Sequence, residues 1–272
     1  MTDARIGVLV PDWPAPPRVR AAFSLRRGGV SQGPWISLNL GSHVADDPAA
    51  VAENRRRLRA QLRLPGEPCW LSQVHGTQVV KPTGGEPPPI ADAAVTSEPG
   101  RVLAIQVADC LPVLFAARDG SVVAGAHAGW RGLAAGVLEA TVADLAAAGA
   151  EPRDILVWIG PGIGPGRFEV GEEVREAFVR GVRGGGMRGA GAGPLAEAGD
   201  PGAAAAFVPN ERGRWWCDLR TLAVRRLAAA GVAAVYGADR GHEWCTHSDP
   251  GRFFSHRRDG QCGRMAALVW LE

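Results

Sequence analysis

The sequence predicts an α+β fold, a mixed α/β layered sandwich built as a single domain. Apolar runs of strand length alternate with amphipathic helical patterns along the 272 residues, a length that suits one substantial core. Their order is strands, then helices, then strands again, unlike the regular alternation of a doubly wound sheet. No internal repeat or linker divides the chain. The Gly- and Ala-rich stretch 181–206 reads as a flexible surface insertion within the domain, without a function of its own.

Each element has its own signal. Asp47-Pro48 supplies an N-cap and a proline for the first helical position, with Val51, Leu58 and Leu62 following at helical spacing. Apolar runs at 102–116 and 121–126 flank Asp119-Gly120, a strong hairpin turn. Leu133, Val137, Leu138, Val142 and Leu145 form an amphipathic helix closed by Gly149. Ile155–Ile159 reads as a buried strand, and Asp218 caps a helix carrying Leu219, Leu222, Leu227 and Ala228 that ends near Gly231. Segments 253–257 and 265–271, around Asp259-Gly260, read as a final hairpin.

Composition excludes several classes. Thirty basic residues, almost all arginine, are balanced by 28 acids for a net charge of +2. Arg55-Arg56-Arg57 falls in a helical pattern as a solvated face, so nucleic acid is not an expected partner. The N-terminal stretch lacks an apolar core, and no run approaches membrane length. The five cysteines (Cys69, Cys110, Cys217, Cys245 and Cys262) lack the spacing of a disulfide framework. A reduced, cytoplasmic protein is expected.

Three segments carry the chemistry: SQVHG at 72–76, ADCLP at 108–112 and HAGWRG at 127–132. Each sets one soft ligand, His75, Cys110 or His127, beside glycine or proline at the end of an apolar run. Two imidazoles and a thiolate suit Zn²⁺, or Cu²⁺ by affinity, and leave a fourth position for water or substrate. Taken alone, Cys110 would read as a core residue and either histidine as structural. No CxxC, HExxH or HxH spacing is present. The hairpin argues for joining them. A two-residue loop at Asp119-Gly120 sets Pro112 opposite His127 and Cys110 opposite Gly129. Cys110 and His127 then share a face as diagonal neighbours, roughly 7–8 Å apart at Cα. Pro112 cannot donate to the ladder, so a bulge or sheet edge is expected there.

Arg131 follows His127 at a helix start, where it could serve an anion such as phosphate, or instead stack on Trp130 or neutralise Asp109. GPGIGPG at 160–166 lacks the Lys-Ser/Thr of a phosphate loop and reads as a shaped loop bringing Phe168 and Glu169 towards a pocket. Glu169 and Asp109 are the carboxylates expected as general acid/base groups or partners of the metal ligands.

Taken together, FSLRRGGVS at 23–31, SLNLG at 37–41, residues 46–55, the three ligand segments, IGPGIGP at 159–165, FEVG at 168–171 and CT…FFSHRRDG…GRMA at 245–267 resemble one family. It is described as multicopper polyphenol oxidase or laccase-domain proteins, and also as purine nucleoside phosphorylases or a peptidoglycan editing factor. The resemblance implies a metal held by His75, Cys110 and His127, with Arg26, Asn39 and Arg131 binding substrate. It further implies phosphorolysis of adenosine, inosine and methylthioadenosine to free base and ribose 1-phosphate, with adenosine deamination beside it. The implied fold is a layered α/β/α-type domain similar to the cysteine-hydrolase-like fold of deamidase toxins. Gln261 and Cys262 depart from the family pattern before Gly-Arg. The laccase label fits the chemistry poorly, because a multicopper cluster needs many paired histidines and this chain has 6, none in a His-x-His pair. Weak copper-dependent polyphenol oxidation is compatible with the same three ligands. The rival class is a metal-free cysteine hydrolase acting on an amide such as a peptidoglycan precursor, with Cys110 as nucleophile and a histidine as base.

Overall fold

The computed structural model describes residues 5–83, 87–181, 196 and 198–272. Its framework is two β-sheets packed face to face between helices. The larger sheet contains β3 (Val79–Val80), β4 (Ala93–Thr96), β6 (Leu111–Ala117), β7 (Val123–Ala128), β8 (Ile155–Ile159) and β12 (Ala234–Tyr236), in the order β12-β8-β6-β7-β4-β3. The second contains β1 (Val8–Leu9), β2 (Val19–Ser24), β5 (Leu103–Val107) and β13 (Met265–Leu271), in the order β1-β2-β13-β5. Strands from both chain ends therefore share one sheet.

Side-chain alternation assigns the layers. Leu111, Val113 and Phe115 of β6 and Val157 and Ile159 of β8 point to one core. There they meet α3 (Val137–Ala147) through Leu138 and Leu145, and α5 (Leu219–Ala229) through Leu222 and Leu227. Leu114 and Trp158, on the opposite face, pack against Ile105, Met265, Ala267 and Val269 of the smaller sheet. The outer face of that sheet, with Ala104, Ala266 and Leu268, is covered by Leu58 of α1 (Pro48–Leu62). The layering is helix, sheet, sheet, helix, one sheet more than an α/β/α arrangement. Because both faces of the central strands are covered, β6, β7, β8 and β13 are buried at every position. Such strands read in sequence as unbroken apolar runs.

The local readings are reproduced in part. Asp47 caps α1, its carboxylate accepting from the Ala49 N–H, and Asp218 caps α5 in the same way. The β6–β7 hairpin has the expected register, with Pro112 opposite His127. Pro112, however, lies neither at an edge nor in a bulge. The His127 N–H goes to Asp92 O on the β4 side, and Pro112 O accepts from Gly160, so the Pro112 nitrogen faces the end of β8 and is not asked to donate to β7. The 102–116 run is divided at residues 108–110, where the chain leaves the smaller sheet as β5 and enters the larger one as β6. The helix expected after His127 is broken by Gly136, at φ +103°, into α2 (Trp130–Ala135) and α3. In place of the final hairpin, Ser255 caps the short α6 (His256–Asp259), and β13 pairs instead with β2 and β5. Of the insertion at 181–206, residues 182–195 and 197 lie outside the described residues. Its end, Pro201–Ala206, is a 3₁₀ turn with Ala203 and Ala206 in the core.

One buried ion pair joins the helical layer. Arg226 of α5 and Glu139 of α3 are almost inaccessible and meet at 2.9 Å, while Arg226 also donates to Ala134 O. Removing one partner strands the other charge. Glu139→Ala is expected to cost about 3–5 kcal/mol in chemical denaturation, and Glu139→Gln, which keeps an acceptor, distinctly less.

Candidate metal centre and cleft

The division of the 102–116 run is where the site forms. Cys110 ends the crossing between the sheets, His127 lies near the end of β7, and His75 sits on the loop before β3. Their ligand atoms all fall within 4.8 Å of one another. The Cys110 Sγ to His75 Nε2 distance is 3.8 Å, and the two imidazole rings stand edge to face with centroids 4.7 Å apart. His127 is buried, Cys110 half-buried and His75 exposed, so the group opens to solvent on the His75 side.

A residue not singled out from the sequence organises this group. Asp92 is completely buried. Its Oδ1 accepts from His127 Nδ1 at 2.8 Å and from the His75 N–H at 2.9 Å. Its Oδ2 accepts from the N–H groups of Val74 and Gly76. The bond to Nδ1 leaves His127 Nε2 as the nitrogen available for ligation, the usual way a carboxylate orients a metal-binding histidine. The same carboxylate holds His75 at φ +61°, a left-handed conformation costly for a residue with a Cβ. Asp92 was legible only as an acid embedded in the apolar stretch 90–95.

The glycines of HAGWRG provide clearance. A Cβ on Gly129 would stand 2.6 Å from His75 Cδ2 and 3.0 Å from Cys110 Sγ. One on Gly132 would stand 2.8 Å from Gly76 O. Electrostatics couple the ligands. Burial alone would raise the Cys110 thiol, but the adjacent His127 and His75 rings bring it down to about 6. Burial works against the charged form of His127, and Cys110 and Asp92 more than offset it, raising its pKa to about 9. A thiolate beside an imidazolium is the resulting state without metal. Two imidazoles, a thiolate and a carboxylate behind one imidazole fit a transition-metal site with an open position.

The group opens on a cleft of about 430 Å³. Arg131, Arg257 and Arg264 contribute its cationic side chains, His43 and His256 two imidazoles, and Trp130, Phe168 and Leu219 its apolar ones. Gln73 and Gln106 also line it, and Gln73 ties the His75 loop to β5 by bonding Gln106 O and N–H. Gln106 Oε1 is buried with no hydrogen-bond partner among the described residues.

Residues 20–272 match the family described as multi-copper polyphenol oxidoreductase laccase. The chain belongs to this family. It is 52% identical over 267 residues to a purine nucleoside phosphorylase of Pseudomonas aeruginosa, covering 97% of this chain and 98% of that one. It is 48% identical over 266 residues to the purine nucleoside phosphorylase YfiH of Escherichia coli, covering 97% and 98%. Among solved structures, a Neisseria meningitidis protein of family DUF152 superposes with a TM-score of 0.84 at 43% identity, covering 97% of this chain and 99% of that one. YlmD of Geobacillus stearothermophilus superposes with a TM-score of 0.83 at 32% identity, covering 100% and 98%.

Within this family fold, the other expected site residues fall in different places. Arg131 lines the cleft and stacks on Trp130, its guanidinium carbon 4.5 Å from the ring centroid. Asp109, at φ +93°, also lines the cleft, but its Oδ1 accepts from Thr246 Oγ1 and its Oδ2 from Ser255 Oγ and the Arg257 N–H. Glu169 belongs to β9 (Glu169–Val170) and is not in the cleft wall. Its carboxylate accepts from Asn210 Nδ2 at 2.7 Å and lies 3.8 Å from Arg212. Arg26 lies outside the cleft too, over the Phe254 ring and bonded to Ile36 O. Asn39 is wholly buried beneath it, bonded to Gly41, Asp46 and the Arg264 N–H. Arg257, Arg264, His43 and His256 were not anticipated as cleft residues, because the segments carrying them are distant in sequence from every ligand.

Asp92→Ala leaves three backbone N–H groups and one imidazole N–H without their acceptor. Metal affinity, read by competition with a chromophoric chelator, is expected to fall at least the roughly 10–100-fold usual for such a partner, with a lower melting temperature. In protein stripped of metal, iodoacetamide should alkylate Cys110 with a midpoint near pH 6. The rate should level off about one pH unit above that midpoint and stay flat to pH 8, because the thiolate is by then formed. His127→Ala should move that midpoint upward.

Proposed function

We propose that this chain is a metal-dependent purine nucleoside phosphorylase. In this reading adenosine, inosine and methylthioadenosine react with phosphate to give free base and ribose 1-phosphate. Zinc is the metal of His75, Cys110 and His127, and adenosine deamination is a secondary activity of a cytoplasmic enzyme. The observation that carries the reading is the joining of that ligand group to a cleft rich in cations, in a chain half identical to proteins named purine nucleoside phosphorylase.

In phosphorolysis a phosphate oxygen forms a bond to the anomeric carbon as the glycosidic C–N bond breaks. The bonding pair goes to the purine nitrogen, which takes up the proton lost from phosphate. The chain's contribution is to hold the two reactants in line and offset the anion's charge. Arg131 offers such charge at the rim, although α2 behind it is only six residues long, so little helix dipole supports it. Trp130 and Phe168 offer apolar faces for the base, and buried Gln106 an acceptor for a nucleoside N–H or O–H. His75, Cys110 and His127 would hold a divalent ion, which would supply Lewis-acid chemistry when bound. For deamination, Asp109 is the carboxylate that lines the cleft, since Glu169 is turned towards Asn210 and Asp92 is engaged behind His127. Copper is a plausible occupant of the same donors by affinity. Among the described residues a single such His/Cys group is found, which offers no second copper site for laccase chemistry.

A second reading is favoured by one specific feature. Cys110, His127 and Asp92 form a thiol–imidazole–carboxylate chain, the arrangement of a cysteine hydrolase acting on an amide without metal.

Base release from adenosine and inosine, with and without phosphate, separates these readings. Phosphate-dependent release is expected, abolished by chelation, restored by Zn²⁺ and reduced more than about 100-fold in Cys110→Ala, beyond the effect of an outer partner alone. Amide hydrolysis that survives chelation but not alkylation would instead establish the thiol enzyme.

A further inference from the structure

Arg257 and Arg264 enter the cleft from separate segments, and each is fixed at its backbone by a buried side chain. The Arg257 N–H donates to Asp109 Oδ2 at 2.7 Å, and the Arg264 N–H to Asn39 Oδ1 at 2.8 Å. Asn39 and Asp109 are both buried, and Asp109 is further held by Thr246, Ser255 and the Ile163 N–H on its carbonyl. Gly41 makes room for Arg264, whose Cγ lies 2.7 Å from where a Cβ would stand.

The guanidinium groups are oriented but not neutralised. Arg257 lies over Phe168, 5.0 Å from the ring centroid, and donates to Glu169 O. Arg264 donates to Cys262 O and Gly263 O. Neither has a carboxylate within ion-pair distance among the described residues, whereas Arg225, Arg226, Arg252 and Arg258 each do. His43 and His256 line the same cleft, and among the described residues its only acid, Asp109, has both oxygens engaged. Oriented guanidinium donors without a counter-anion, next to apolar and acceptor surface, match a phosphate group.

We propose that Arg257 and Arg264 bind the phosphate of the reaction, in the same cleft as the ligand group; this rests on the phosphorylase reading. Arg131, stacked on Trp130, is then a rim residue, and the two arginines held from beneath by Asp109 and Asn39 take the anion.

The test is steady-state phosphorolysis of inosine with inorganic phosphate varied, in wild type, Arg257→Gln, Arg264→Gln and Arg264→Lys. Loss of charged hydrogen bonds should raise the phosphate KM roughly 10- to 100-fold in the glutamine variants, with the inosine KM within about threefold of wild type. Arg257 is exposed, so its replacement should leave folding intact, and Arg264→Lys guards against a folding defect in Arg264→Gln. An active wild type whose phosphate KM is unchanged in folded Arg257→Gln, and in Arg264→Gln where that variant folds, overturns the assignment and leaves the phosphorylase reading standing. If wild type releases no base, that reading falls and the site is tested by calorimetric titration with inorganic phosphate. Binding to wild type that is lost in Arg257→Gln supports the anion site, and no binding to wild type overturns it.

Discussion

The buried carboxylate of Asp92 is the constraint on which the rest of the site depends. It lies at the head of β4 with no access to solvent, yet it accepts four hydrogen bonds, three from the backbone of 74–76 and one from the His127 ring. A buried charge is tolerable only when its lone pairs are satisfied in this way. The arrangement fixes the His127 tautomer and also bends the loop that carries His75 into a conformation it would not hold alone. One side chain thus aligns two ligands from different segments, while the β6–β7 register delivers Cys110.

Asp109 has the corresponding role on the other side of Cys110. Three stretches far apart in the chain meet on it: Ile163 of the glycine-proline loop, Thr246, and the Ser255–Arg257 turn. A residue adjacent to a ligand is thereby tied to the segment that supplies Arg257. Asn39 gives Arg264 equivalent backbone support from the N-terminal half. The cleft is therefore held on two buried polar side chains and the crossing between the sheets. Preorganisation of this kind would serve the proposed phosphorolysis, in which two reactants must be brought into line.

Much of this was legible from residue patterns. The Asp47 and Asp218 caps, the Asp119-Gly120 hairpin and the ligand trio follow from local chemistry, in which a short carboxylate caps a helix and a turn pair sets the register. Readings failed where the outcome depended on contacts beyond the local segment. The 102–116 run carries no mark of its division between two sheets, because both halves are fully buried and equally apolar. Glu169 has a carboxylate in a promising place, but β9 joins the small sheet of β10 (Phe207–Pro209) and β11 (Trp215–Cys217), which turns it towards Asn210. Asp259-Gly260 resembles a hairpin turn, yet the Ser255 cap and the claim of two neighbouring strands on β13 decide otherwise.

By itself the sequence determined most of the element types, the family resemblance and three soft donors that the fold brings together, since caps, turn residues and donor chemistry act over a few residues. The tertiary structure decided which carboxylates support the ligands and which arginines face the cleft. Those outcomes are set by pairing between separate segments: Asp92 with His127, 35 residues on, Asp109 with Thr246, 137 residues on, and Asn39 with Arg264, 225 residues on. No local propensity encodes such a pairing. It exists only once two sheets have closed on each other and each buried polar group has had to find its partner.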